Sequence, residues 1–191
     1  MNTNKKTLGN PKKLALCGLF VALIAVGTFI KIPIPVVPFT LQFLFTMMAG
    51  LFLGPTAGAV CVLVYMLLGL VGLPIFAEGG GLFYVLKPSF GYIIGFVVGT
   101  YVTGFMVKRS KKLTYPSVLI ANFAGLFFVY LLGMVYYYII SNYVIMTPIG
   151  LWPLFLYCFI LAVPGDIALC LLGAYLGTRL IPVTRRLYGT P

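Results

Sequence analysis

Apolar residues fill whole segments of this sequence instead of recurring at helix or strand spacing, and prolines, glycines and short basic clusters divide them. Residues 32–77 and 113–165 carry no charged side chain, and runs of that length predict membrane-spanning helices of about 20 residues each. The first predicted span, 14–30, is stopped by Pro33, Pro35 and Pro38, which forbid helix continuation. A second covers 39–53 and ends at Gly54-Pro55; a third, 55–72, opens on that proline, which a helix start tolerates. Residues 73–87, LPIFAEGGGLFYVLK, break the pattern: Pro74, Glu78 and the triplet Gly79, Gly80, Gly81 predict a long outer loop. A fourth span, 88–107, leads into KRSKK, and a fifth, 114–141, into an outer connection at 142–150. Residues 151–162 are too short to cross and end at Pro164-Gly165, which predicts a re-entrant or interfacial helix before a sixth span, 164–181. The fold class is an all-α integral membrane protein. Its single domain consists of a basic N-terminus (1–13), a six-helix bundle (14–181) and a basic tail (182–191).

Composition supports this reading. Only 8% of the residues are charged and 62% are hydrophobic, whereas a soluble domain carries about 25% charged residues. The formal net charge of +11 is placed for topology, not for nucleic acid. Eleven of the 13 bases lie at the N-terminus (Lys5, Lys6, Lys12, Lys13), in one short loop (Lys108, Arg109, Lys111, Lys112) and at the C-terminus (Arg179, Arg185, Arg186). The positive-inside rule puts all three clusters, and so both termini, on the cytoplasmic side of a cell membrane. Lys31 and Lys87 remain, both at outer ends; Lys31, directly after an apolar helix, reads as a snorkelling interfacial anchor. The first apolar segment has no small-residue cleavage site ahead of a polar region, so no removable signal peptide is expected.

Small residues recur at spacing four: Gly18 and Ala22; Gly54 and Gly58; Gly91, Gly95 and Gly99; Gly173 and Gly177. Such stripes let helices approach closely within a membrane. Most are expected to serve internal packing, with Gly18 and Ala22 on the first helix the candidates for a partner subunit.

Chemistry is scarce. No histidine exists, so no Ser-His-Asp or Cys-His set can form, and Cys17, Cys61, Cys158 and Cys170 lack metal spacing and read as small buried hydrophobes. No GxxxxGK[ST] motif occurs, so the chain is not expected to hydrolyse ATP by itself. Neither enzymatic catalysis nor a cofactor is expected. Against this background Asp166, one of two acids, stands out at the start of the sixth span. It either caps that helix, satisfying free amides at the positive end of the dipole, or faces a cavity, the default reading for an acid in a membrane segment. Glu78 and Lys87 converge on the same outer face, with aromatic walls available from Phe76, Phe83, Tyr84, Phe90, Tyr92, Trp152 and Phe155. That combination suits a small, partly polar ligand.

The blocks PIPVVPFTLQ (33–42), GLPIFAEGGGLFYVLKPSFGYIIGF (72–96) and PGD (164–166) resemble BioY, the biotin-binding S component of energy-coupling factor (ECF) vitamin importers. The resemblance covers about residues 13–181. It implies capture of biotin from outside, with membrane lipid, a transmembrane coupling subunit and two ATP-binding subunits as partners. By position it implicates Phe39, Thr40, Gln42, Phe76, Glu78, Gly79, Gly80, Gly81, Tyr84, Lys87, Tyr92 and Asp166 in substrate binding. Asp166 can accept from the ureido N–H groups; Phe39, Tyr84 and Tyr92 can sandwich the bicycle; the Gly79, Gly80 and Gly81 amides or Lys87 can hold the carboxylate or the ureido oxygen. Gly18 and Ala22 resemble the stripe that S components turn to their coupling subunit. One departure stands: the family often has lysine three residues after the PGD aspartate, where this chain has Leu169. Either Lys87 substitutes, or the ligand is a relative such as dethiobiotin. A stand-alone proton-coupled transporter using Asp166, and an assembly factor without a ligand, are the alternatives.

Overall fold

A computed structural model describes residues 11–32, 38–110 and 112–188. Lys5, Lys6, Lys111, Pro33 and Pro35 lie outside the described residues, so the expectations resting on them find no counterpart below.

The protein is mostly helical. Helix α1 (Pro11–Phe29) leads into a short antiparallel ladder between β1 (Lys31–Ile32) and β2 (Phe39–Thr40), pairing Lys31 with Thr40 and Ile32 with Phe39. This ladder corrects the second predicted helix, which starts at Gln42 and not at Phe39. Phe39 and Thr40 commit their backbone to β1, and Thr40 Oγ1 accepts from the Gln42 N–H at 3.4 Å. Helix α2 (Gln42–Leu53) thus has 12 residues, a length of about 18 Å at 1.5 Å per residue. Gly54, with φ of 83°, turns the chain directly into α3 (Pro55–Leu70), a position that disfavours any residue with a Cβ.

Residues 71–89 fold as a compact loop containing a 3₁₀ turn at Leu82–Leu86. Helix α4 (Phe90–Arg109) follows, and then α5 (Tyr115–Ile139), whose first turn is closed by reciprocal Thr114 and Ser117 hydrogen bonds and which widens into a π turn at Ile140–Val144. The expected short helix is present as α6 (Leu151–Phe155) with a π turn at Leu156–Ile160, joined through two turn residues to α7 (Val163–Tyr188). Helix α7 runs past Pro182 into the region expected as a tail. Three helical stretches, Phe90–Arg109, Tyr115–Val144 and Leu151–Pro182, are long and apolar enough to cross a membrane; Lys13–Phe29, Gln42–Leu53 and Pro55–Leu70 are shorter apolar helices.

Close backbone contact sets the helix directions. Phe20 stacks on Phe52, and Gly27 lies against Phe45, so α1 and α2 are antiparallel. Helix α4 is central and packs against α2, α3 and α5. A Cβ at Gly99 would stand 2.8 Å from the Gly125 carbonyl oxygen of α5, and one at Gly95 2.8 Å from that of Val129. Thr103 donates to the Ala121 carbonyl at 3.2 Å, Thr100 to that of Thr46 at 3.0 Å, and Asn122 to that of Cys170 on α7 at 3.0 Å. Helices α5 and α7 are therefore antiparallel, and one end of the bundle gathers the ends of α1, α3 and α5 with the starts of α2, α4 and α7. Lys13, Lys108, Arg109, Lys112 and Arg179 belong to the other end.

The stripes expected to serve internal packing do so: Gly91 meets Tyr136, Gly58 the Ala49 carbonyl, Gly173 Met47 and Gly177 Leu51. Gly18 is the exception. It is exposed, as is Ala22, and a Cβ there would meet nothing within 4 Å. Replacing Gly99 with leucine should therefore lower stability by roughly 1–3 kcal/mol or more through overpacking, while Gly18→Leu leaves it unchanged. Thermal unfolding in detergent checks both, and equal melting temperatures for the two variants would contradict the packing described.

Candidate ligand site

At the end of the bundle opposite the basic residues lies a cavity of about 70 Å³, walled by β2 and the start of α2 (Phe39, Thr40, Gln42, Phe43), the loop (Ala77, Tyr84, Ser89), the first turns of α4 (Tyr92, Ile93, Phe96), mid-α5 (Val129, Tyr130) and the approach to α7 (Cys158, Ala162, Asp166). Asp166 is brought there by the PGD turn. Its N–H bonds back to the Ala162 carbonyl at 3.2 Å, and Gly165 leaves room for the Phe39 ring, which a Cβ would meet at 2.5 Å. The ring packs on the helix start directly beside the acid.

The Asp166 carboxyl reaches across to α5, where Oδ2 accepts from the Tyr130 hydroxyl. It is partnered by a side chain of another helix and not, among the described residues, by amides of its own first turn. Tyr130 in turn stands edge-on to Tyr92 and Phe159, with ring centroids 6.1 and 5.2 Å away. The Tyr92 hydroxyl donates to the Cys158 carbonyl at 3.3 Å. Tyr84 is buried and lies beside Ser89. Burial pushes its hydroxyl above the ordinary tyrosine range, so it is a neutral group at physiological pH. Gln42 is buried too, and its amide nitrogen has no hydrogen-bond partner among the described residues.

Six of the residues named from sequence, Phe39, Thr40, Gln42, Tyr84, Tyr92 and Asp166, meet in this wall. The other six build the loop behind it. Phe76 is buried against Gly69 and Tyr65, 5.6 Å from the latter's ring centroid. Gly79 and Gly81 have φ of 112° and 103°; Gly79 closes a tight turn with Phe76, and the Gly81 N–H bonds to the Gly69 carbonyl at 2.8 Å. A Cβ at Gly80 would collide with the Leu73 carbonyl. The triplet thus folds the loop onto α3. Lys87 and Glu78 pair with each other at 3.0 Å on the surface, and Lys87 lies 5.1 Å from the Tyr84 ring centroid. Lys31, expected as a lone anchor, donates to the Ala77 carbonyl at 3.1 Å and ties β1 to the loop. Of the expected aromatic walls, Phe83 and Trp152 are exposed, and Phe155 lines a separate apolar groove of about 440 Å³ between α5 and α6.

Sequence reading missed Tyr130, Ser89, Phe43, Phe96 and Cys158. For Tyr130 a signal existed: it is the one hydroxyl in the otherwise apolar stretch 123–135 of α5.

With the geometry in place, comparison with known proteins decides the family. Residues 1–186 match the model of the BioY family. The chain belongs to the BioY family. The probable biotin transporter BioY of Lysinibacillus sphaericus is 42% identical over 172 residues, covering 90% of this chain and 88% of that one. The biotin transporter BioY of Rhizobium etli is 32% identical over 177 residues, 87% and 91% of the two chains. A crystal structure of the S-component for biotin from an ECF-type ABC transporter superposes with a TM-score of 0.76 at 29% identity, covering 94% of each chain. The relationship read from the PFTLQ and PGD blocks thus holds over nearly the whole length, and these BioY relatives are transporters, not enzymes.

The contact between Phe39 and Gly165 can be tested alone. Gly165→Val should displace the ring and cost roughly 1–3 kcal/mol by overpacking, read as a lower melting temperature, and pairing it with Phe39→Ala should recover part of that loss. No recovery in the double variant would mean that the two residues do not meet.

Proposed function

We propose that this chain is the substrate-capturing S component of an ECF-type importer and that its substrate is biotin. The observation that carries the reading is the placement of Asp166, held by Tyr130 in the wall of a cavity built from the blocks characteristic of the family. In the proposed arrangement six helices cross a cell membrane, α1 to α5 and α7, with α6 a short segment preceding the last crossing. Basic residues at the other end of the bundle favour cytoplasmic termini by the positive-inside rule and an outward-facing cavity.

Biotin's chemistry suits the wall. Its ureido ring offers N–H donors to Asp166, and hydrogen bonds to a charged acceptor in a desolvated site are about twice as strong as neutral ones. Its bicycle suits Phe39, Tyr84, Tyr92 and Phe96. At about 70 Å³ the cavity has room for a few waters only, each needing about 10–15 Å³. A ligand of biotin's size therefore enters as the walls part on the side of β2 and the Ala77 turn, both half-buried and linked through Lys31 of β1. The valeryl carboxylate then lies toward that mouth, where Lys31 and Lys87 are the cations within reach. The family resemblance implies a coupling subunit and two ATP-binding subunits as partners that supply the ATP-driven step, with the open Gly18 and Ala22 face of α1 as the docking stripe.

A second reading, a biotin-like ligand such as dethiobiotin, is favoured by Leu169, a buried apolar side chain where the family often places lysine.

Mass spectrometry of ligand retained through purification in mild detergent is expected to identify biotin; dethiobiotin would favour the second reading, and retention of neither, with no calorimetric binding on addition, would refute both. Asp166→Asn should weaken biotin binding by roughly 1–3 kcal/mol, measured calorimetrically, and an unchanged affinity would return Asp166 to a helix-start role. Vesicles holding the chain alone should not accumulate biotin, whereas proton-driven uptake would make it a stand-alone transporter.

A further inference from the structure

Among the described residues, two buried side-chain atoms of the cavity wall have no hydrogen-bond partner, Gln42 Nε2 and Ser89 Oγ. The Tyr130 hydroxyl donates to Asp166 and the Tyr92 hydroxyl to the Cys158 carbonyl, Thr40 Oγ1 accepts from the Gln42 backbone N–H, and Ser89 Oγ lies beside the Tyr84 hydroxyl, toward which a hydroxyl can rotate. The Gln42 amide nitrogen lines the cavity, belongs to a side chain only 5% exposed, and donates to nothing among the described residues. A buried donor left unpaired costs about 1–3 kcal/mol, so such a group in a native fold calls for an explanation. Packing does not supply one, because a leucine or methionine fills the same space without the penalty.

The wall therefore presents an unspent donor at the start of α2 together with an acceptor, Asp166, at the start of α7, and among the described lining residues no cation. A ligand that satisfies both carries a donor and an acceptor, which the edge of a cyclic urea or lactam, an N–H next to a carbonyl, supplies. An isolated carboxylate or ammonium satisfies only one of them.

Resting on the biotin reading above, we propose that Gln42 is the specificity-determining residue for the ligand's carbonyl: its amide nitrogen donates to the ureido oxygen while Asp166 accepts from the adjacent N–H. The lysines are set apart from this role by position, since neither lines the cavity. Lys31 donates to the Ala77 carbonyl and Lys87 pairs with Glu78, both on the loop side of the wall. Gln42 reads the ring; the lysines are left for the tail.

The test is a cycle of protein and ligand changes. Affinities of the full-length wild type, Gln42→Met and Gln42→Leu are measured by calorimetry for biotin and for its thiourea analogue, in which sulfur, a poor acceptor, replaces the ureido oxygen. Wild type should prefer biotin, and that preference should shrink by about fivefold to tenfold in each variant, the size of a lost neutral hydrogen bond. Two variants of different shape guard against one failing to fold, and thermal unfolding of the ligand-free proteins identifies which are intact. A wild-type preference below twofold overturns the inference without any variant, as does a preference that the variants leave unchanged. In both cases biotin still binds and the broader reading stands; if wild type binds neither ligand, the biotin reading itself fails.

Discussion

A carboxyl group placed among membrane helices must find a partner or be very costly, and the architecture at one end of this bundle answers that demand. Asp166 is held by a hydroxyl from α5, follows Gly165, on which the ring of Phe39 from β2 packs, and shares the cavity wall with Ala77 of the loop. Three segments far apart in sequence are thus brought to one acid. One carboxyl oxygen has a protein partner; no protein donor to the other is present among the described residues. That asymmetry gives the site its polarity: an acceptor fixed in direction by Tyr130, set in a largely aromatic wall whose low local dielectric strengthens whatever hydrogen bond is made there.

What allows these segments to converge is the absence of side chains elsewhere. Helices α4 and α5 touch backbone to backbone at Gly99 and Gly125, which brings Tyr92 and Tyr130 edge to face in the cavity wall. Gly165 admits Phe39, and Gly69 admits Phe76, so the loop lies flat on α3 and delivers Ala77 and Tyr84 to the cavity. In a membrane, where burying apolar surface against apolar lipid gives little driving force, such close contacts supply much of the attraction between helices. The bundle's stability and the shape of its site therefore rest on the same glycines.

Much of this was legible in the sequence, for physical reasons that also explain what was not. Uninterrupted apolar runs announce helices, and the prolines and Gly54 mark where they turn. The hairpin at Phe39–Thr40 was hidden because two strand residues abutting an apolar helix carry no periodicity of their own. The glycine triplet looked like a source of anion-binding amides, yet it folds the loop, since positive φ and lack of space impose glycine for purely local reasons. Lys87 and Glu78 were read as polar groups converging on the outer face for a ligand, but an exposed pair satisfies itself, and such pairs contribute little, about 0–1 kcal/mol. Tyr130 was lost among 13 tyrosines, because an amphipathic ring in a membrane helix has lipid, packing and binding roles that spacing cannot separate. Gln42 drew notice only through its family block; its unpaired amide is a three-dimensional fact.

The scarcity of acids that made Asp166 conspicuous also makes the central claim directly measurable. The chain contains only two acidic side chains, Glu78 and Asp166, so once isotope labelling of biotin's own carboxylate has shifted the ligand band away, the side-chain carboxyl bands of an infrared difference spectrum taken on adding biotin have just two sources. The account predicts that ligand binding perturbs one set of carboxyl bands, absent in Asp166→Asn and retained in Glu78→Gln. A ligand-induced spectrum with no carboxyl change, or one that vanishes only in the Glu78 variant, would contradict it.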